Sequence, residues 1–375
     1  MRRVRHGIAA AFVLALGASA WAADGDCRVI VACKGDADAA ALEKLGVDVE
    51  SAHGSIAAGT VPPGKIAALR ADPSVAYVEE DGIAEAIGKA QAEAVSSQSQ
   101  TLPWGVSKVW GGTQPTLTGS GVKVAVIDTG IDFTHTDLDA NVDLANSTTF
   151  VSRTSSAKDD NGHGTHVAGT IAAEDNGSGV VGVAPSATLF AVKVLDRRGS
   201  GLWSWVASGI DWARTHGANV ANMSLGGGAS TTIENACSTA WNNGNGVLLI
   251  AAAGNSGDGK TTTSEWSYPA AYSTVVSVGA TDSSDNVASF SNTNNDVEVS
   301  APGVSIVSTY KGGAYATMSG TSMATPHAVG NAALLWQEAA GSASASSVKT
   351  MLDTRVRSKL PTVAYGFGIV YFPAP

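Results

Sequence analysis

Three short, glycine-flanked stretches carry groups able to break an amide: "VIDTG" with Asp128, "NGHGTHVAGT" with His163 and "SGTSMATPH" with Ser322. Amide hydrolysis near neutral pH needs a nucleophile, a base whose pKa lies near the working pH, and a group that holds the base in the right tautomer. A hydroxyl, an imidazole and a carboxylate fill those roles, and the chain order Asp, His, Ser is one of the few in which the set recurs. Singly each stretch has a plainer meaning, since a strand-ending Asp can be a cap and a lone His is more often a satisfied polar residue. Their conjunction is what argues for chemistry.

Groups so far apart in sequence need a scaffold that gathers them. The runs "VKVAVIDTG", "TLFAVKVLD", "GANVANMSLGG", "GVLLIAAAGN" and "STVVSVGAT" are apolar and β-rich, and most are separated by helical patterning such as "GLWSWVASGIDWARTHG". Near-continuous apolar strands alternating with helices predict an α/β domain, a mainly parallel sheet sandwiched by helices. Ligands of such sheets gather beyond the carboxyl ends of the strands, and Asp128, Ser224 and Asn255 each fall at or just past such an end. Ser322 opens the predicted helix "SMATPHAVGNAALLWQEA", whose N-terminal partial positive charge suits an anionic intermediate. Gly320 leaves room for substrate, and Pro326 falls in the first turns, where a missing N–H costs little.

"VLLIAAAGNSGDGKTTT" fits the phosphate-loop pattern, and with "VAVID" as a magnesium-holding strand it offers a P-loop nucleotide hydrolase as an alternative. A phosphate loop must run straight into a helix, whereas "KTTTSEWSYPAAYS" is β-branched, then aromatic, then interrupted by Pro269. That reading also leaves the stretches around His163 and Ser322 unexplained. Zinc held by His163 and His166 lacks the H-E-x-x-H spacing and any cysteine partner. A net charge of −10, spread over single acidic residues, provides no basic stripe for a nucleic-acid backbone, so no nucleic-acid partner is expected.

From about Gln100 to Gly368 the sequence resembles the subtilisin-like serine proteases: the three motifs stand in family form, and "NMSLGG", "AAAGN" and "SAPGVSI" match as well. The resemblance implies that Ser322 is the nucleophile, His163 the general base and later the acid, and Asp128 the orienter of the imidazole, with His166 left to packing or hydrogen bonding. It implies that Asn255 donates its side-chain amide to the oxyanion together with the backbone N–H of Ser322, leaving Lys260 a solvated loop charge. Polypeptide substrate would lie as an extended strand along Ser224, Leu225, Gly226 and Gly227, with Ala252 to Gly254 walling the pocket for the side chain before the scissile bond. Those walls carry no charge, so large apolar or aromatic side chains are expected there. Asp159 and Asp160 read as solvated loop carboxylates, or else as a preference for basic residues one position further along.

The resemblance further implies a structural Ca²⁺ held by the side chains of Asp137 and Asn176, the carbonyls of Glu174, Ser178 and Val180, and Gln100; hard oxygen ligands in a flexible loop suit that ion. Asn331 departs from the family, which usually has a small apolar residue there, and so places a polar group in need of a partner under the nucleophile's helix. A catalytically silent binder of the same fold is the other alternative; the joint presence of the three motifs and Asn255 counts against it.

At 375 residues, 44% hydrophobic and 15% charged, the chain can bury a sizeable core. Residues 1–22 open with arginines, continue apolar and close on Ala20-Trp21-Ala22, the pattern of a secretory signal peptide. They are too short for a membrane anchor, so a secreted protein, extracellular or periplasmic, is expected. From Arg28 to about Ala86 strand, helix, helix and strand patterns suit a small α+β unit. It resembles the family's propeptide, ferredoxin-like in fold, which assists folding and occupies the cleft as an intramolecular inhibitor. "EAIGKAQAEAVSSQSQ" reads as an exposed linker without strand signals. Residues 23–98 are thus taken as propeptide and 99–375 as a peptidase domain, expected as a monomer, with maturation close to Gln98 and Ser99. Cys27, Cys33 and Cys237 are an odd set for an exported chain; Cys237, on one helical face with Ile233 and Trp241, reads as a buried structural thiol.

Overall fold

The structure, a computed structural model, describes residues 25–91, 99–357 and 362–372. The expected leader, 1–22, and Gln98 lie outside the described residues. The chain divides into two units, Met1–Glu80 and Asp81–Pro375.

In the first unit the order is β1 (Cys27–Cys33), α1 (Ala39–Lys44), β2 (Asp48–His53), β3 (Ile56–Val61), α2 (Ile66–Ala71) and β4 (Val75–Glu80). The strands form one antiparallel sheet in the order β2-β3-β1-β4, the ferredoxin-like α+β arrangement. The Asp38 carboxylate caps α1 by accepting from the Ala41 amide, satisfying one of the donors that a helix start leaves free. Alternate β1 residues Val29 and Val31 pack with Leu42, Val61, Leu69 and Val78 to form the core.

The second unit opens with two short strands, β5 (Ile83–Ala86) and β6 (Lys89–Gln91), and helix α3 (Trp104–Val109). Then come β7 (Lys123–Asp128), β8 (Thr148–Thr149), α4 (His163–Ala172), β9 (Thr188–Lys193), β10 (Ser200–Leu202), α5 (Trp203–Thr215), β11 (Val220–Met223), β12 (Leu225–Gly227), α6 (Thr231–Trp241) and β13 (Leu248–Ala252). They are followed by β14 (Val275–Thr281), β15 (Val297–Pro302), β16 (Ile306–Tyr310), β17 (Ala314–Ser319), α7 (Thr321–Ala339), α8 (Ala345–Thr354), β18 (Val356–Arg357), α9 (Thr362–Tyr365) and β19 (Ile369–Val370).

Nine strands form the central sheet in the order β18-β19-β15-β14-β13-β11-β7-β9-β8. It is parallel apart from the β18–β19 edge. Alternation along β7 shows why its sequence is apolar throughout. Val124 and Val126 join the cluster that includes Val167 and Ile171 of α4 and Val329 of α7, while Ile127 turns the other way, toward Gly209 of α5. Both faces of the strand are covered, so each position must be apolar.

The linker reading is corrected over its first part. Residues 83–86 pair antiparallel with both β10 and β12, and 89–91 pair with β17. These pairings run through the main chain, which the alanine- and glycine-rich sequence does not advertise.

Candidate active site

Asp128 ends β7 and is fully buried. Its Oδ1 accepts from the Thr129 amide at 2.7 Å and faces Nδ1 of His163 at 2.8 Å. A carboxylate can only accept, so Nδ1 carries the proton and Nε2 is left as the basic nitrogen. His163 is the first residue of α4, reached through Gly162 at φ 114°. A β-carbon on Gly162 would overlap the ring of Tyr310, so both the backbone conformation and the space demand glycine.

The approach to α4 is pinned by Asp159, which is 5% exposed. Its Oδ1 accepts from the Asn161 and Gly162 amides and the Thr129 hydroxyl, each at 2.9 Å, and its Oδ2 from the Thr165 amide at 3.0 Å and hydroxyl at 2.6 Å. The reading of Asp159 as a solvated carboxylate is therefore corrected: five donors converge on it. Asp160, half-exposed, pairs with Lys193 at 2.7 Å. The buried Nζ of Lys193 also donates to the carbonyls of Thr129 at 2.6 Å and Leu195 at 3.0 Å. Lys193 was not singled out in the sequence, where it is one residue of an apolar strand.

Burial by itself would lower the pKa of the His163 imidazole; the Asp128 carboxylate, through charge and hydrogen bond, and the charge of Asp159 more than reverse this, leaving it above 6.5. His166 behaves oppositely. Burial drives its pKa down to about 3, so the neutral ring sits in the core with Nε2 against the carbonyls of Ile306 at 3.0 Å and Ala316 at 3.1 Å.

Ser322 is the second residue of α7 and is fully buried. Its hydroxyl donates to the Ser224 carbonyl at 2.9 Å, and the Ser224 hydroxyl donates back to the Ser322 carbonyl at 2.9 Å. Pro326 explains the second bond. Lacking an N–H, it leaves unpaired the carbonyl four residues earlier, that of Ser322, and Ser224 Oγ takes the vacant place. Nε2 of His163 has no hydrogen-bond partner among the described residues. Asp128 and His163 thus meet directly, while the Ser322 hydroxyl is engaged by the Ser224 carbonyl.

Asn255 follows β13. Its Oδ1 accepts from the Thr321 amide and hydroxyl, each at 2.9 Å, which commits the acceptor end and leaves Nδ2 beside Gly320, where an added β-carbon would meet it at 3.0 Å. The edge Leu225–Gly227 forms β12. β-carbons on Gly226 and Gly254 would overlap the side chains of Ser267 and Asn292 respectively. Ser267 and Asn292 were not anticipated: they come from distant loops, and no local pattern marks them.

The six residues assigned to a cation come together around one loop. Asp137, fully buried, accepts at Oδ2 from the Val180 amide at 2.9 Å and the Tyr315 hydroxyl at 3.2 Å, and at Oδ1 from Asn176 Nδ2 at 3.1 Å. Gln100 donates Nε2 to the Glu174 carbonyl at 2.9 Å and accepts at Oε1 from the Gly177 amide at 3.1 Å; Asn176 Oδ1 accepts from Ser178. Burial raises the carboxyl pKa of both Asp137 and Glu174, since it disfavours the charged form. Among the described residues no cluster of three His, Cys, Asp or Glu forms a metal group.

Asn331 is fully buried, with neither side-chain polar atom partnered among the described residues. Cys237 is buried on α6, and burial raises its thiol pKa far out of the reactive range. The loop after Asn255 starts no helix at Lys260, as the argument against a phosphate loop requires.

Residues 119–369 match the sequence model of the Subtilase family. An alkaline protease of Shouchella clausii is 47% identical over 311 residues, covering 82% of this chain and 76% of that protein. Subtilisin E of Bacillus subtilis (strain 168) is 44% identical over 327 residues, covering 84% and 77%. Subtilisin Savinase of Lederbergia lenta is 48% identical over 275 residues, covering 72% of this chain and 97% of its own length.

Proposed function

The chain belongs to the subtilase family and is a serine endopeptidase, and from that premise we propose that Ser322, His163 and Asp128 carry the reaction. Ser322 Oγ attacks the carbonyl carbon of a polypeptide as its proton passes to Nε2 of His163. Asp128 holds Nδ1–H and stabilises the imidazolium that results. His163 then gives the proton to the leaving nitrogen, and water, deprotonated by the same imidazole, hydrolyses the acyl-enzyme. For the first step the hydroxyl exchanges its Ser224 acceptor for Nε2, a rotation between staggered wells. The oxyanion receives the Asn255 amide, whose acceptor end is already engaged by Thr321 and so cannot turn toward the negative charge.

Substrate lies along β12, with an apolar or aromatic side chain in the uncharged pocket walled by Ser224 to Gly227 and Ala252 to Gly254. The front unit acts as folding assistant and inhibitor of its own enzyme. Residues 1–22 direct secretion, and no helix among the described residues is long and apolar enough to cross a membrane. Ca²⁺ would be held by Asp137, Asn176, Gln100 and the carbonyls of Glu174, Ser178 and Val180, where it would supply positive charge beside the buried Asp137 carboxylate. Both amides would present oxygen to the ion in place of the nitrogen that each now offers to a neighbour.

The observation that carries the catalytic reading is the 2.8 Å bond from His163 to Asp128, which leaves Nε2 unprotonated at the rim that holds Ser322 and Asn255. A fluorophosphonate probe should label Ser322 and stop casein hydrolysis, and Ser322→Ala should abolish both. Labelling at another residue, or casein hydrolysis retained in the variant, would refute it.

A further inference from the structure

The backbone from β5 through β6 runs through the rim itself. Ile83, Ala84 and Glu85 pair with Leu202, Gly201 and Ser200 on one side, while Ala84, Glu85 and Ala86 pair with Gly227, Gly226 and Leu225 on the other. The Ala86 amide donates to the Gly199 carbonyl at 2.7 Å and the Ile87 amide to the Ser224 carbonyl at 3.3 Å. That same Ser224 carbonyl accepts the Ser322 hydroxyl at 2.9 Å, so one oxygen joins the Ile87 backbone to the nucleophile. Past the rim, Lys89, Ala90 and Gln91 pair with Ser319, Met318 and Thr317. The segment is thus held on both sides of Ile87 and Gly88, and main-chain pairing at each end fixes its register.

That register puts one peptide bond at the reacting position. A β-carbon on Gly320 would meet the Ile87 carbonyl oxygen at 2.9 Å, Asn255 Nδ2 at 3.0 Å and Gly88 Cα at 3.1 Å. The oxygen of this peptide therefore lies in the neighbourhood of the amide that awaits negative charge. A β-carbon on Gly88 would sit 3.5 Å from Nε2 of His163, placing the leaving-group residue against the base. On the other side of the bond, Cδ1 of Ile87 lies 2.5 Å from where a β-carbon on Gly226 would be, beside Ser267, so the Ile87 side chain lies against the Gly226 wall of the proposed pocket.

We propose that the bond between Ile87 and Gly88 is the one this enzyme cuts in its own chain, ahead of the Gln98–Ser99 region where maturation was expected from sequence. The inference rests on the catalytic reading above. Ser322 Oγ forms an ester with the Ile87 carbonyl carbon while its proton goes to His163; the C–N bond breaks as His163 protonates the Gly88 nitrogen. Water then adds to the ester, giving its proton to His163, and the Ile87 carboxylate and the Ser322 hydroxyl are released. Nothing but water is consumed. The residues between Gly88 and Gln100 stay with the enzyme after this cut.

The test is to produce the full chain as wild type and as Ser322→Ala, and to read the new termini by mass spectrometry at early times. Expected are a front fragment ending at Ile87 and a large fragment beginning at Gly88 in the wild type, with the Ser322→Ala chain uncut. A front fragment ending elsewhere, such as at Gln98, in a preparation that hydrolyses casein overturns the inference alone; a preparation that cuts neither itself nor casein overturns the catalytic reading as well. Ile87→Asp, which puts a charge in the uncharged pocket, should slow the first cut at least 100-fold, and Ile87→Phe should keep it within tenfold. Casein hydrolysis per mature molecule should match wild type for both, because Ile87 is gone from the mature chain. Equal rates of the first cut for Ile87→Asp and wild type would overturn the proposal.

Discussion

The catalytic rim and the loop around Asp137 both gather residues from distant parts of the chain, but they are held in different ways. The rim is made from the ends of regular elements: β7 ends at Asp128, α4 starts at His163, α7 starts just before Ser322, and Asn255 follows β13. The loop has no such frame. Asp137, Asn176, Gln100 and the intervening backbone are tied by side-chain hydrogen bonds, and the carboxylate at its centre is buried with its pKa raised. The rim keeps its geometry through the core of the sheet, whereas the loop, on the proposed reading, would gain stability from a cation. Chemistry and cation dependence should therefore separate experimentally.

The sharpest separation is at Ser322. Ser322→Ala or His163→Ala should lower kcat by about 10⁶, the loss found on such changes in subtilisins, with the thermal midpoint little moved; casein hydrolysis and calorimetry together check this. Asn255→Leu should cost about 10²–10³ in kcat, again the family's measured range, with KM nearly unchanged. A large rise in KM at constant kcat would assign Asn255 to ground-state binding instead.

On the other side of the comparison, a chelator should lower the thermal midpoint without altering kcat at 25 °C. With free Ca²⁺ at a hundred times its Kd, the stabilisation withdrawn is about 2.7 kcal/mol. Asp137→Asn should make the midpoint insensitive to the chelator, and a chelator effect that persists in that variant would place the ion elsewhere.

The pH response belongs to the rim. His163 must be neutral to accept a proton, and its folded pKa is raised above 6.5. Activity is therefore complete well above that raised value and falls about tenfold per unit as pH drops below it. An acid limb of kcat/KM centred below 6.5 would contradict the geometry. The smallest effect is expected at Asn331, where replacement by Ala removes two unpartnered buried polar atoms at the cost of a small cavity. Stability should change by about 1 kcal/mol or less, read from urea unfolding of the Ser322→Ala chain.

Parts of both regions were legible in the sequence, and the contrast shows where legibility stops. Strands β7, β9, β11, β13 and β14 could be read because burial on both faces writes continuous apolar runs. Asp128, His163 and Ser322 could be proposed because each stands in a short glycine-flanked stretch. Asp159 could not, since a carboxylate that ties a loop looks the same in sequence as one in solvent. Lys193, Ser267 and Asn292 act on groups far along the chain and leave no local mark. Strands β5 and β6 escaped because main-chain pairing does not require the alternation of apolar and polar side chains by which a half-buried strand is recognised.

The two serines that exchange hydroxyl and carbonyl across the rim, Ser224 and Ser322, join the proposed recognition edge to the proposed nucleophile. Altering Ser267 or Asn292 leaves this joint alone, but altering Ser224 strips the helix of the donor that stands in for the missing Pro326 N–H. Selectivity can therefore drift at Ser267 and its neighbours, while the first residue of the recognition edge is bound to the fate of the nucleophile.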